Sequence, residues 1–177
     1  MLTTEELNKL TDKEIILDFE GVITKIDLDW EALRQKIVDL LGLDRKLNFS
    51  SLYLYSQVKG KRNEYLKMKA EAEIAGLTSL PSELFEYFKK NNLAVTIFSA
   101  NTREAIETYL KDQNFMGNVK TLVAIDNVDF IKPHPEGLLK IVGNKNPNDF
   151  VLIGDSVYDA IAAKLAGVQF QKYELEK

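Results

Sequence analysis

What most constrains this chain is a set of short, almost unbroken apolar runs, each closed by polar residues. Residues 15–19, 93–98, 121–125 and 150–153 are rich in branched and aromatic side chains, and residues 168–170 form a weaker fifth run. A strand exposed on one face alternates apolar with polar residues, so runs without alternation imply burial on both faces, as in a parallel sheet. Stretches of helical period separate them. Residues 81–90 carry Leu84, Phe85 and Phe88 on one face, with Pro81 suited to a first turn. Residues 102–111 repeat Ile106, Tyr109 and Leu110, and residues 135–142 and 158–165 complete the series, with Gly167 as a stop. Strand–helix–strand alternation predicts a doubly wound α/β fold.

One interval breaks the pattern. More than seventy residues separate the first run from the second, too many for a single crossover. Residues 29–41 read as an amphipathic helix with Trp30, Leu33, Ile37, Leu40 and Leu41 on its apolar face. Residues 62–75 read as another, with Tyr65, Met68, Ala72 and Ala75. Residues 25–80 are therefore expected to be a helical cap, and 1–24 with 81–177 the core. The absence of cysteine excludes disulfides and thiolate chemistry. A net charge of −4 argues against a nucleic-acid surface. No apolar run approaches membrane-spanning length, and the polar, acidic first ten residues are unlike a secretory signal. The expectation is a cytoplasmic monomer or homodimer with neither membrane nor nucleic acid as partner.

The polar residues fall where a ligand would lie. Asp18-Phe19-Glu20-Gly21 follows the first run, Ser99-Ala100-Asn101-Thr102 the second, Lys132-Pro133-His134-Pro135 comes a little after the third, and Gly154-Asp155-Ser156 with Asp159 follows the fourth. Open α/β sheets bind ligands beyond the carboxyl ends of their strands, so four strand ends converge on one place. Singly, Asp18, Ser99 or Asp155 reads as a cap and Lys132 as a surface lysine; the ordered set is the signal. Asp18, Asp155 and Asp159 would repel one another without a cation between them, and oxygen donors suit Mg²⁺. The Ser99 hydroxyl, backbone N–H groups of turns such as Ser99-Ala100-Asn101, and the Lys132 ammonium would face a phosphoryl group. Asp18 is then a candidate nucleophile.

With this order in view, the chain resembles the haloacid dehalogenase superfamily of phosphohydrolases. DFEGV resembles the first motif of that family, Ser99 the second, Lys132 in IKPHPEGL the third and GDSVYD the fourth. The helical cap after the first motif is similar to that of the phosphoglycolate-phosphatase-like group. The resemblance implies a Rossmann-like three-layer α/β/α parallel sheet and an Mg²⁺-dependent hydrolase acting on a small phosphorylated metabolite. It makes Asp18 the nucleophile and Glu20 the acid and base, with the Glu20 backbone carbonyl also on the metal. Ser99 and Lys132 would hold phosphoryl oxygens, Asp155 would ligate Mg²⁺ and Asp159 would support it. Asn101 would touch substrate or order the loop.

Glu20 departs from the family, whose phosphatases carry Asp there. The acid is retained, but one added methylene moves it by roughly 1.5 Å, and a misplacement of about 1 Å can cost on the order of a hundredfold in rate. A phosphomutase, or a weakly active phosphate-binding protein, is the alternative reading. A signalling receiver domain, which distributes its acids over different strands, fits the order less well. His134 between prolines reads as a turn residue, and Lys59-Gly60-Lys61-Arg62 as a solvated approach to a helix or a greeting for an anion. Trp30 reads as packing between cap and core. Tyr53 and Tyr55, alternating with Leu52 and Leu54, read as pocket wall or packing.

Overall fold

The computed structural model describes residues 12–173, and all of their side chains except those of residues 79 and 80. The polar N-terminal stretch and the extreme ends of the predicted core lie outside the described residues. A five-stranded sheet in the order β5-β4-β1-β6-β7 is parallel throughout. Its strands are β1 (Glu14–Leu17), β4 (Val95–Phe98), β5 (Val119–Val123), β6 (Phe150–Gly154) and β7 (Gln169–Lys172). The three central strands are the most apolar, whereas β5 and β7 expose Lys120, Thr121, Gln169 and Lys172 at the sheet edges, where charge discourages pairing with another chain.

Side chains alternate between the sheet faces. Ile16, Phe98, Phe150 and Leu152 pack with α6 (Glu136–Val142) and α7 (Val157–Ala166). Leu17, Ile97, Val151 and Ile153 pack with α4 (Glu83–Lys90) and α5 (Arg103–Asp112). This is the three-layer α/β/α arrangement expected from the sequence.

Three helices follow β1: α1 (Trp30–Leu41), α2 (Phe49–Val58) and α3 (Arg62–Ala75). They do not hang apart from the sheet, because Leu33, Ile37, Tyr53 and Tyr65 join the same apolar cluster as Ile16, Phe98 and Val123. The two ends of this insert are tied by an antiparallel pair, β2 (Thr24–Ile26) and β3 (Leu77–Pro81).

Two local expectations need correction, the start of α4 and the buried side of α3; between them lies a helix the periodicity did not mark. Pro81 closes β3, and α4 starts two residues later at Glu83, capped by Ser82, whose hydroxyl accepts the Phe85 N–H at 3.0 Å. Residues 49–58 form a helix although Leu and Tyr alternate there; the buried side is Leu52, Tyr53 and Ser56, an i, i+1, i+4 set. In α3 the buried residues are Tyr65, Lys69, Ala70 and Glu73, whereas Ala75 is exposed. That helix turns a lysine and a glutamate inward because they find charged partners there.

Candidate active site

Register places the site residues. Leu17 is level with Ile97 on one side and Ile153 on the other, so the residues just beyond these strands share one end of the sheet. One further rung holds each loop: the Asp18 N–H donates to the Ile153 carbonyl and the Ser99 N–H to the Val123 carbonyl, both at 3.0 Å. Asp18, Glu20, Ser99, Ala100, Asn101, Lys132 and Asp155 line one cavity of about 880 Å³, and Asp159 lies fully buried behind it.

At the floor, Lys132 Nζ lies 2.7 Å from Asp18 Oδ2 and 2.6 Å from Asp159 Oδ1. All three groups are buried, where an unpaired charge would be prohibitive. The other Asp18 oxygen, Oδ1, accepts the Phe19 N–H at 2.7 Å. Asp159 Oδ2 accepts the Ser156 N–H at 3.1 Å and the Ser156 hydroxyl, while Ser156 Oγ caps α7 by accepting the Asp159 N–H. Both Asp159 oxygens are thus engaged by protein donors.

Carboxylate oxygens of Asp18, Asp155 and Asp159 lie within 4.8 Å of one another. This oxygen-only set fits a hard divalent cation such as Mg²⁺. Two glycines make the approach possible. Gly21 has φ +81°, and a Cβ there would stand 2.1 Å from Asp155 Oδ2. A Cβ on Gly154 would stand 2.6 Å from Asp159 Cβ.

Burial dominates the electrostatics. It raises the Asp18 carboxyl to about 7, with Lys132 opposing and Asp159 adding to the rise. It raises Glu20 to about 7 as well, with Lys69 opposing and Asp18 and Glu73 reinforcing. For Lys132, burial alone would lower the ammonium, but Asp18 and Asp159 outweigh it and raise it above the ordinary range.

The opposite wall comes from the insert. Lys69 Nζ sits 5.0 Å from the Trp30 ring centroid and 5.7 Å from that of Phe49, and it pairs with Glu73. Trp30 therefore lines the cavity beside Phe49, Arg34 and Lys69. Neither Lys69 nor Glu73 was picked out from sequence. The pair has the i, i+4 spacing of an ordinary solvated helix pair, and only the fold turns it inward.

The remaining polar signals serve structure. The His134 Nδ1 accepts the Glu136 N–H at 3.2 Å at the start of α6, and its ring packs 4.8 Å from that of Phe130. No member of the Lys59–Arg62 cluster lines the cavity. Lys61 donates to the Leu40 carbonyl at 2.7 Å, and Arg62 donates to the Tyr53 hydroxyl at 2.8 Å and the Asp126 carbonyl at 2.9 Å. Tyr53 is buried and packs rather than lining the cavity, and Tyr55 is partly exposed.

Residues 11–172 match the haloacid dehalogenase-like hydrolases, and the chain belongs to that family. A pyrophosphatase, PpaX, of Bacillus cereus (strain AH820) is 31% identical over 90 residues, which are 49% of this chain and 41% of that protein. The match therefore spans less than half of that curated relative. Among solved structures, a haloacid dehalogenase-like hydrolase from Bacteroides fragilis superposes with a TM-score of 0.68 at 20% identity, covering 90% of this chain and 86% of that one. A protein assigned as a phosphoglycolate phosphatase from Lactobacillus plantarum gives 0.64 at 17% identity, covering 92% and 86%. These two likenesses carry the fold. Among the described residues, no helix is long and apolar enough to cross a membrane.

Proposed function

We propose that this chain is an Mg²⁺-dependent phosphomonoester hydrolase acting on a small phosphorylated metabolite through an aspartyl-phosphate on Asp18. The observation that carries the reading is the floor of the cavity, where Lys132 pairs with Asp18 and Asp159 while Asp155 completes a close group of carboxylates in the cavity that Ser99 also lines. An Asp18 carboxylate oxygen forms a bond to phosphorus as the bond to the leaving oxygen breaks, and that oxygen takes the Glu20 proton. Glu20, now ionised, removes a proton from water. The water oxygen attacks phosphorus, the phosphorus–Asp18 bond breaks, and inorganic phosphate leaves. The Lys132 ammonium, a turn N–H such as that of Ala100, and the Ser99 hydroxyl, turned from Asn101 Oδ1 toward the substrate, hold the phosphoryl oxygens throughout. Mg²⁺ held by Asp18, Asp155 and the Glu20 backbone carbonyl, with Asp159 in support, would offset the charge that gathers there.

A Glu20 carboxyl near 7 suits both halves of this cycle, because an acid–base group acts best close to the ambient pH. The cavity is far larger than a phosphate and is walled by Trp30, Phe49 and Ile131 with Lys25 and Arg34, which favours a small leaving group held beneath residues 25–80. The test is phosphate release from p-nitrophenyl phosphate, pyrophosphate and a panel of phosphorylated metabolites, with and without Mg²⁺. Release should require Mg²⁺ and vanish in Asp18→Asn. A folded wild-type chain that releases phosphate from none of them refutes the proposal, and stable phospho-Asp18 without release supports the phosphate-binding alternative.

A further inference from the structure

Glu73 is fully buried, yet it comes from the insert rather than from the sheet. Its Oε1 accepts from Lys69 Nζ and, at 2.7 Å, from Asn101 Nδ2. Its Oε2 accepts the Thr102 N–H at 2.8 Å and the Thr102 hydroxyl at 2.7 Å. Three of these four donors belong to the loop after β4. Because Asn101 Nδ2 points at Glu73, Asn101 Oδ1 faces the other way and accepts the Ser99 hydroxyl at 2.8 Å, while the Asn101 N–H donates to Ser99 Oγ at 3.2 Å.

We propose that Glu73 is a positioning residue: through Asn101 and Thr102 it fixes the loop after β4 so that Ser99 is presented to a phosphoryl group. The inference rests on the phosphatase reading of Ser99. It makes α3 part of the phosphate-holding apparatus and not only a cover. A buried carboxylate can be satisfied by Lys69 and a few local donors; here most of its acceptor capacity is directed at one functional loop. Charge-assisted hydrogen bonds of this kind fix geometry more firmly than neutral ones, and small displacements of a binding group are costly.

The experiment is a double-mutant cycle between Glu73→Ala and Ser99→Ala, read by inhibition of p-nitrophenyl phosphate hydrolysis with inorganic phosphate. Glu73→Ala should raise both the phosphate inhibition constant and KM about tenfold while kcat falls less than about threefold. In the Ser99→Ala background the same change should add less than about twofold, because the end of the relay is already gone. Glu73→Gln keeps an acceptor for Thr102 but sets an amide against Asn101 and Lys69, and should lie between. If Glu73→Ala does not fold, as judged by circular dichroism and melting, Glu73→Gln carries the same cycle at nearly equal volume. Independent losses in the double variant, or unchanged phosphate inhibition in a folded single variant, overturn the proposal. A wild-type chain that neither releases phosphate nor is inhibited by it refutes the phosphatase reading itself, whatever Glu73 does.

Discussion

At position 20 the longer acid meets groups from two elements. Lys69 from the insert and Asn101 from the β4 loop both act on the Glu20 carboxyl, and burial holds it near 7 against an ordinary value of 4.5. The unfolded chain therefore loses this proton near pH 4.5 and the metal-free folded chain only near 7. Between those values the native state binds more protons, so stability falls as pH rises and the full penalty is present above 7. Glu20→Gln removes the ionisation and should stabilise the metal-free protein at pH 8 by about 2–3 kcal/mol, with little change at pH 4.5. The same variant should lose on the order of a hundredfold or more in kcat, and urea titrations beside steady-state kinetics check both halves. Gly21→Ala has a different cause. A side chain at φ +81° is strained, and its Cβ would displace the Asp155 carboxyl. Magnesium-dependent activity should drop at least tenfold with a stability loss of about 1–3 kcal/mol; a variant with wild-type activity and melting temperature would show that Asp155 has another position available.

Among the elements, α2 ties the insert to the loop after β5 by hydrogen bonds as well as by packing. The Tyr53 hydroxyl donates to the Val128 carbonyl at 2.6 Å, with the Ile125 carbonyl at 2.9 Å, and it accepts from Arg62. Tyr53→Phe leaves the Val128 and Ile125 carbonyls with only their longer bonds, from Arg62 at 3.2 Å and the Val128 N–H at 3.4 Å, and should cost about 1–2 kcal/mol. The loss should be local first, with amide exchange in α2 and α3 accelerating before exchange in β1 or β6. Uniform acceleration would mean that the insert and sheet open as one unit. The same element shows why some helices escape a sequence reading. In α4 a broad apolar stripe is plain in Leu84, Phe85 and Phe88, but α2 has the alternation of a strand and folds as a helix because Leu52, Tyr53 and Ser56 find buried neighbours.

Across the whole molecule, the ionisation of the buried carboxyls at the site opposes folding of the metal-free chain. Asp18 is held near 7, well above its ordinary 3.8, by burial with Asp159 adding, and Glu20 behaves alike. The metal-free protein should thus melt at a temperature that declines from about pH 4.5 to 7. Saturating Mg²⁺ should raise the melting temperature more at pH 8 than at pH 5, because binding needs the ionised acids and stabilises only the native state. An equal Mg²⁺ shift at both pH values would argue that the carboxylates are not the ligands.

By itself the sequence determined the alternation of buried strands and helices, the existence of a helical insert after β1, and the convergence of Asp18, Ser99, Lys132 and Asp155. Those features are local: a strand buried on both faces and the residue that ends it are adjacent in the chain. Only the tertiary structure decided that Thr24 pairs near Pro81, that Trp30 walls the cavity, and that Lys69 and Glu73 face inward. In text the last two form one more exposed-looking ion pair on a helix. Their role appears only when folding brings Asn101 and Thr102, nearly thirty residues away, within hydrogen-bonding distance of Glu73. A buried carboxylate is stable only where such donors are already assembled, and distant contacts assemble them.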